Sequence, residues 1–341
     1  MTPKKDLELY LHIPFCRQKC RYCDFLSAPL AADSSTADGY VPEAYVDALL
    51  SQIVQESQFY QERRVTTIFW GGGTPSLLRV MDMERLMDAI RAHFCVADDA
   101  EITLESNPGT LDFEKLAGYR RAGINRLSMG LQSACDKELA MLGRIHNFDT
   151  FVQNYKQARR AGFENINVDL MSALPGQTVE SWEQTLMKAA ELAPEHLSAY
   201  SLIIEEGTPF WSWYGEDANQ TLRPKEMLPL PSEEDERRMY ARTREILERE
   251  LRRRGMTTDD FSQITELGNI GAIQAMLRAN LGISFFYQAT LTDRETQLAP
   301  IELKDFSLEH EVMFIFRKNS SFREDYEEIY AFLTNRENSQ N

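Results

Sequence analysis

Short stretches of apolar, β-branched and aromatic residues alternate along the chain with longer stretches whose apolar positions recur at helical spacing. Residues 9–15, 65–70, 102–105, 126–132, 166–171 and 196–204 read as strands, and 42–63, 81–94, 112–122, 148–161 and 179–193 read as helices. A helix between successive strands brings the chain back to start the next strand in the same direction, so the pattern predicts parallel βαβ units. The expected fold class is α/β, a partial (β/α)6 barrel. In such a fold the chemistry sits on the loops that follow the strands. The glycine-rich and polar segments Gly71-Gly-Gly-Thr-Pro75, Ser106-Asn-Pro-Gly-Thr110 and Leu174-Pro-Gly-Gln-Thr178 all fall on those loops.

Beyond the sixth strand, Ser232 followed by three acids reads as the capped start of a helix. That helix ends at Arg252-Arg-Arg-Gly255, with cations at its negative end and a glycine stop. Residues 31–39 read as a flexible loop. The expected organisation is a core barrel over 1–230, a connecting helix over 231–255 and a small α/β segment over 256–341. In the last segment 270–279 and 326–333 have helical spacing and 283–287 and 312–316 read as strands.

Composition narrows the class. The 341 residues are 43% hydrophobic, 10% aromatic and 26% charged, enough for a sizeable core and unlike a disordered or collagen-like chain. A net charge of -16 repels phosphate backbones and anionic headgroups, so neither a nucleic acid nor a membrane surface is the expected partner. No apolar run is long enough for a transmembrane helix, and Met1-Thr-Pro-Lys-Lys-Asp6 leads into a strand without an apolar leader. A cytoplasmic location is expected.

Three of the five cysteines, Cys16, Cys20 and Cys23, fall on one loop directly after the first strand. A structural zinc site would want a fourth Cys or His close by, but Phe25 stands two residues after Cys23, and His12 belongs to the strand. Thiolates suit iron–sulfur clusters, and three of them on a four-iron cube leave one iron open to a ligand. A zinc-structural or unrelated set of thiols is the alternative. Cys95 and Cys135 lack such spacing and read as ordinary packed residues.

The cysteine loop, Gly71-Gly-Gly-Thr-Pro75, Glu105-Ser-Asn-Pro-Gly-Thr110, Arg126-Leu-Ser-Met-Gly-Leu-Gln-Ser133, Leu142-Gly-Arg-Ile-His146 and the stretch from Asp169 to Thr178 occur in this order. From about residue 7 to 254 the chain resembles the radical S-adenosylmethionine proteins. More narrowly, it is similar to the branch of oxygen-independent coproporphyrinogen III oxidases and related haem chaperones. The oxidases carry a fourth cysteine where this chain has Phe25, which favours the chaperones.

The resemblance implies a [4Fe-4S] cluster on Cys16, Cys20 and Cys23, with S-adenosylmethionine chelating the fourth iron. It further implies cofactor contacts at Tyr10, Tyr22, Gly72, Gly73, Thr74, Glu105, Gln132, Arg144 and Asp169. For the glycines a tight strand-to-helix turn is the alternative, for the tyrosines barrel packing, and for the charged residues surface solvation or salt bridges. His12, His146 and His196 carry no ligand spacing and read as structural. No catalytic residue is assigned.

The same resemblance implies haem or porphyrin as a ligand, a haem-acceptor protein, and a reductant such as flavodoxin or ferredoxin. The function expected is haem transfer, with radical decarboxylation of coproporphyrinogen III as the alternative. The family's C-terminal haem-associated motif is missing between residues 256 and 341. Thr265-Glu-Leu-Gly-Asn-Ile-Gly, Asn280-Leu-Gly-Ile-Ser-Phe285 and Met313-Phe-Ile-Phe-Arg-Lys318 instead resemble part of the effector-binding domain of LysR-type regulators, half of a periplasmic-binding-like domain. This leaves two further alternatives: a fusion with impaired haem function and a small-molecule-binding regulatory module.

Overall fold

The computed structural model describes residues 5–30, 39–216, 218 and 223–255. By its contacts the chain divides into Met1–Ser262 and Gln263–Asn341, and every described residue belongs to the first part. The expectation of a LysR-like α/β segment over 256–341 lies outside the described residues, as does nearly all of the loop at 31–39.

Six parallel strands form one sheet in the order β1 (Lys5–Ile13), β4 (Arg63–Gly72), β5 (Cys95–Ser106), β6 (Arg126–Gln132), β7 (Asn165–Ser172) and β8 (His196–Ser201). The expected half-barrel is therefore present. Helices α1 (Glu43–Ser57), α2 (Val80–His93), α3 (Phe113–Ala122), α4 (Asp136–Leu142), α5 (Phe148–Arg160) and α6 (Val179–Glu191) run between the strands. Strands β2 (Phe15–Cys16) and β3 (Ala28–Pro29) make a small separate pair that brackets the cysteine loop. Helices α7 (Pro209–Tyr214) and α8 (Glu233–Arg253) follow β8.

The central strands alternate: Ile102, Leu104, Leu127, Met129, Leu131, Ile166, Val168 and Leu170 enter the main core, and Glu105, Ser128, Gly130, Gln132 and Asp169 between them line a cavity on the other face. In β6 every residue after Arg126 is buried. The main core has Trp70, Tyr119, Phe151, Phe163 and Trp182 as its largest fully buried side chains. Capping side chains start the helices where the sequence suggests: Asp112, Asn147, Thr178 and Ser232 each accept a backbone N–H from the first turn. Helix α8 lies against α6, where the Trp182 indole donates to Thr243 Oγ1 at 2.8 Å. Buried Met239 and Ile246 tie it to the main core.

Several elements differ from the sequence expectation: the short β2 and β3 were not expected, β1 starts earlier, and α1 and β8 end sooner than read. Strand β5 begins at Cys95, seven residues earlier than the strand read from residue 102, because Asp98, Asp99 and Glu101 interrupt its apolar pattern. Helices α4 and α7 were not expected. At 7 and 6 residues they are too short for helical periodicity to declare itself.

Candidate functional site

The cysteine loop is held from outside itself. Arg21 donates from its backbone N to Leu142 O at 3.0 Å and from Nη1 to Ala140 O and Met141 O at 3.1 and 3.0 Å. Gln18 Nε2 donates to Gly143 O at 2.9 Å. These acceptors are carbonyls at the C-terminal end of α4, where a cation also meets the negative end of the helix dipole. Helix α4 is anchored in turn by its buried Glu138, which accepts from Ser133 Oγ at 2.5 Å, Gln177 Nε2 at 2.9 Å and Ser181. Within the loop, Lys19 Nζ donates to Phe25 O and Ser27 O at 3.1 and 3.0 Å.

This clamping turns the three thiols toward a cavity of about 400 Å³ at the C-terminal ends of the strands. Cys16, Cys20 and Cys23 line it, with no disulfide among them. Two receive side-chain hydrogen bonds on sulfur, Cys16 from Thr74 Oγ1 and Cys20 from Arg144 Nη1, each at 3.5 Å. Burial raises the Cys23 thiol, the Phe25 backbone N–H opposes that rise, and the neighbouring Cys20 and Cys16 add to it. Thiolates crowded in this way repel one another unless a metal shares their charge. Among the described residues no three His, Cys, Asp or Glu side chains close on a single metal ion. A cluster asks something different of its ligands, since each thiolate takes a separate iron.

Facing the sulfurs are the other residues singled out from the sequence. Tyr22, Gly72, Gly73, Thr74, Glu105, Gln132, Arg144 and Asp169 all line the same cavity. Glu105, near the end of β5, accepts from Gly72 N at 3.3 Å. Burial, reinforced by the nearby Asp169, raises its carboxyl from 4.5 to about 7 against the lowering effect of that N–H. Burial also raises Asp169, and hydrogen bonds from Ser128 at 2.9 Å and Asn167 at 2.8 Å hold it down. Gln132 bends out of β6 with φ 69° and accepts from the Tyr200 hydroxyl at 2.9 Å. Arg144 Nη2 donates to Asn107 Oδ1 and Gly130 O, both at 2.8 Å, while its buried Nε has no partner.

Tyr10 behaves differently from the rest. It is 53% exposed and absent from the cavity wall; its hydroxyl pairs with His12 Nδ1 at 3.0 Å, and its ring stacks on Phe69. Glu105 is still close enough to add to the burial that raises the Tyr10 phenol. The glycines also have a structural reason beside their place on the wall. A Cβ on Gly72, at φ 110°, would lie 2.6 Å from the His12 ring, and one on Gly73 2.7 Å from Phe15 O. Side chains there would push the cysteine strand off β4, so the turn requires glycine whether or not a ligand does.

His146 is buried with Nε2 on Leu131 O at 3.3 Å, and burial beside Arg144 lowers it to about 3, so it is neutral. His12 Nε2 is taken by Leu26 O at 2.8 Å. Asn107, Ser128, Met171, Tyr200, Leu202 and Ile203 line the cavity without having been singled out. Asn107, Ser128 and Met171 lay inside the motifs that carry the resemblance; Tyr200, Leu202 and Ile203 carried no signal beyond strand character.

A donor set of three free thiols, with cation and carboxylates opposite in a recess of drug-like volume, fits a cluster and a zwitterionic ligand. The sequence profile of the Radical SAM superfamily matches residues 10–189. The chain belongs to the radical SAM superfamily. Among its relatives is "Heme chaperone HemW" of Escherichia coli (strain K12), 45% identical over 213 residues, which are 62% of this chain and 54% of that protein. "Heme chaperone HemW" of Bacillus subtilis (strain 168) is 35% identical over 260 residues, 76% of this chain and 63% of its own length. A solved radical SAM structure, coproporphyrinogen III oxidase (HemN) from Escherichia coli, superposes with a TM-score of 0.62 at 30% identity, covering 72% of this chain and 53% of that one. The chain thus spans about half the length of the first of these relatives, and the radical SAM half-barrel is the part they share. Such a domain implies a [4Fe-4S] cluster and S-adenosylmethionine in general, and no helix among the described residues is long and apolar enough to cross a membrane.

Proposed function

We propose that this chain is a haem chaperone of the radical SAM type, holding a [4Fe-4S] cluster on Cys16, Cys20 and Cys23 and S-adenosylmethionine in the adjoining cavity. The observation that carries the reading is the convergence of three unbridged thiols with Arg144, Glu105 and Asp169 on one recess. When bound, the cluster would supply an open iron to which the amino and carboxylate groups of S-adenosylmethionine attach. The protein's part is to hold and orient. Arg144, with both Nη atoms already engaged, offers its positive charge and its Nε–H to a carboxylate, and Glu105 and Asp169 offer acceptors to an ammonium or ribose hydroxyl. Tyr22 and Met171 line the same cavity as the three sulfurs.

Haem or porphyrin is the cargo proposed, on the strength of the HemW relatives and of Phe25 where a fourth cysteine would favour the oxidases. A haem-acceptor protein and an electron carrier of the flavodoxin or ferredoxin kind complete the reading. The fold shared with coproporphyrinogen III oxidase supports a second reading, radical decarboxylation of that substrate. Anaerobic reconstitution with iron and sulfide should load about four irons per chain and give a brown protein that retains haem on a sizing column. Cys20→Ala should lose the cluster absorbance. A colourless parent, or a Cys20→Ala variant that keeps full absorbance, would sink the cofactor half of the reading, and formation of vinyl product from coproporphyrinogen III would decide for the oxidase.

A further inference from the structure

Arg144 stands out among the charged groups of the cavity because of what does not neutralise it. Among the described residues no carboxylate forms an ion pair with it, and its polar contacts are the Asn107 side-chain oxygen, the Gly130 carbonyl and the Cys20 sulfur. A part-buried cation held only by neutral oxygens keeps its full field for the next nearest atom. That atom is Cys20 Sγ, 3.5 Å from Nη1.

Asn107 is the residue that makes this arrangement possible, and its own backbone is fixed at both its N–H and its carbonyl. Its backbone N donates to Ser76 Oγ at 3.2 Å, and its carbonyl accepts from Thr110 Oγ1 at 2.7 Å. Ser76 and Thr110 meet each other at 2.7 Å between their hydroxyls, both of them buried. Lys115 Nζ closes the loop on Thr110 O at 3.2 Å. Asn107 Oδ1 then fastens Nη2, with Gly130 O as the second acceptor, and leaves Nη1 pointing at sulfur. An aspartate would have nearly the same shape and would grip the guanidinium as well, but it would cancel the charge.

We propose that Asn107 is a positioning residue that aims an uncompensated Arg144 at the Cys20 sulfur and thereby sets the reduction potential of the cluster bound there. Hydrogen bonds and positive charge at a ligating sulfur stabilise the more negative, reduced cluster and raise its potential. Cys16 receives a weaker version of the same treatment from the neutral Thr74 hydroxyl. The inference rests on the cluster reading above.

The test is a redox titration of the reconstituted full-length chain followed by electron paramagnetic resonance, without S-adenosylmethionine, for the parent, Asn107→Asp and Asn107→Ala. Asn107→Asp should lower the ratio of reduced to oxidised cluster at a fixed solution potential by about tenfold, which is about 59 mV for a one-electron couple. Asn107→Ala, which frees Arg144 to turn away without cancelling its charge, should shift the ratio in the same direction by less. Equal potentials in all three loaded proteins would overturn the proposal while leaving the cluster reading intact. A parent that loads no iron would remove the reading itself. Iron loss or a lowered melting temperature in both variants would assign Asn107 to assembly or folding and would also overturn it.

Discussion

The two sides of the cavity are built differently. On the β4, β5 and β6 side the chain is packed above and below: Trp70, Leu104, Leu127, Met129 and Leu131 are essentially inaccessible, and Cys16, Thr74 and Glu105 are carried on that mass. On the β8 side the strand is, among the described residues, the sheet's other edge, none of its residues is buried, and Tyr200 and Ile203 are 43% and 55% exposed. Under the proposed function the difference gives the two sides separate tasks. Metal ligands need fixed geometry, which a close-packed core enforces. An open, partly apolar edge costs little stability to leave uncovered and admits a large ligand.

Substitutions on the two sides should diverge most in stability. Phe151→Ala, in the sealed core, should cost about 3–5 kcal/mol, and Ile203→Ala, at the open lip, less than about 0.5 kcal/mol. Urea unfolding with unchanged m-values measures both. Similar losses would erase the contrast.

Next in size is the pH response of Glu105. Its carboxyl is raised, so the folded chain favours the neutral form. The stability this contributes is present below about 4.5 and is lost as pH rises through about 7. Without ligand, Glu105→Gln should therefore melt higher than the parent at pH 8 and level with it at pH 4. Under the proposed function the parent's affinity for S-adenosylmethionine should weaken as pH falls from 8 to 6, and that of Glu105→Gln should stay flat. A smaller effect belongs to Tyr200→Phe, which takes one donor from Gln132 at the open side and should cost about 1 kcal/mol, seen as a small fall in melting temperature.

Much of this architecture could be read from the order of residues. Six strand-like stretches with helices between them led to the parallel half-barrel, because each strand puts alternate apolar residues into the core and helices lying on the sheet must be apolar on one stripe. The cysteine spacing and the glycine turn were visible for a similar reason: local geometry restricts which residue types can stand there. Helix α4 escaped notice, although it bears the clamp on the cysteine loop, since seven residues show no period.

Contacts between distant segments had no such local trace. Asn107 meets Arg144 across 37 positions and Tyr200 meets Gln132 across 68, and nothing in either neighbourhood announces the partner. The same holds for the exposure of Tyr10, which shares its strand with residues that face the core. Residue types, spacings and periods, being consequences of short-range sterics and burial, were legible along the chain. Which carboxylate is raised, which sulfur receives a cation and which wall of the cavity stays open follow from the packing of strands remote in sequence, and only the folded chain brings those neighbours together.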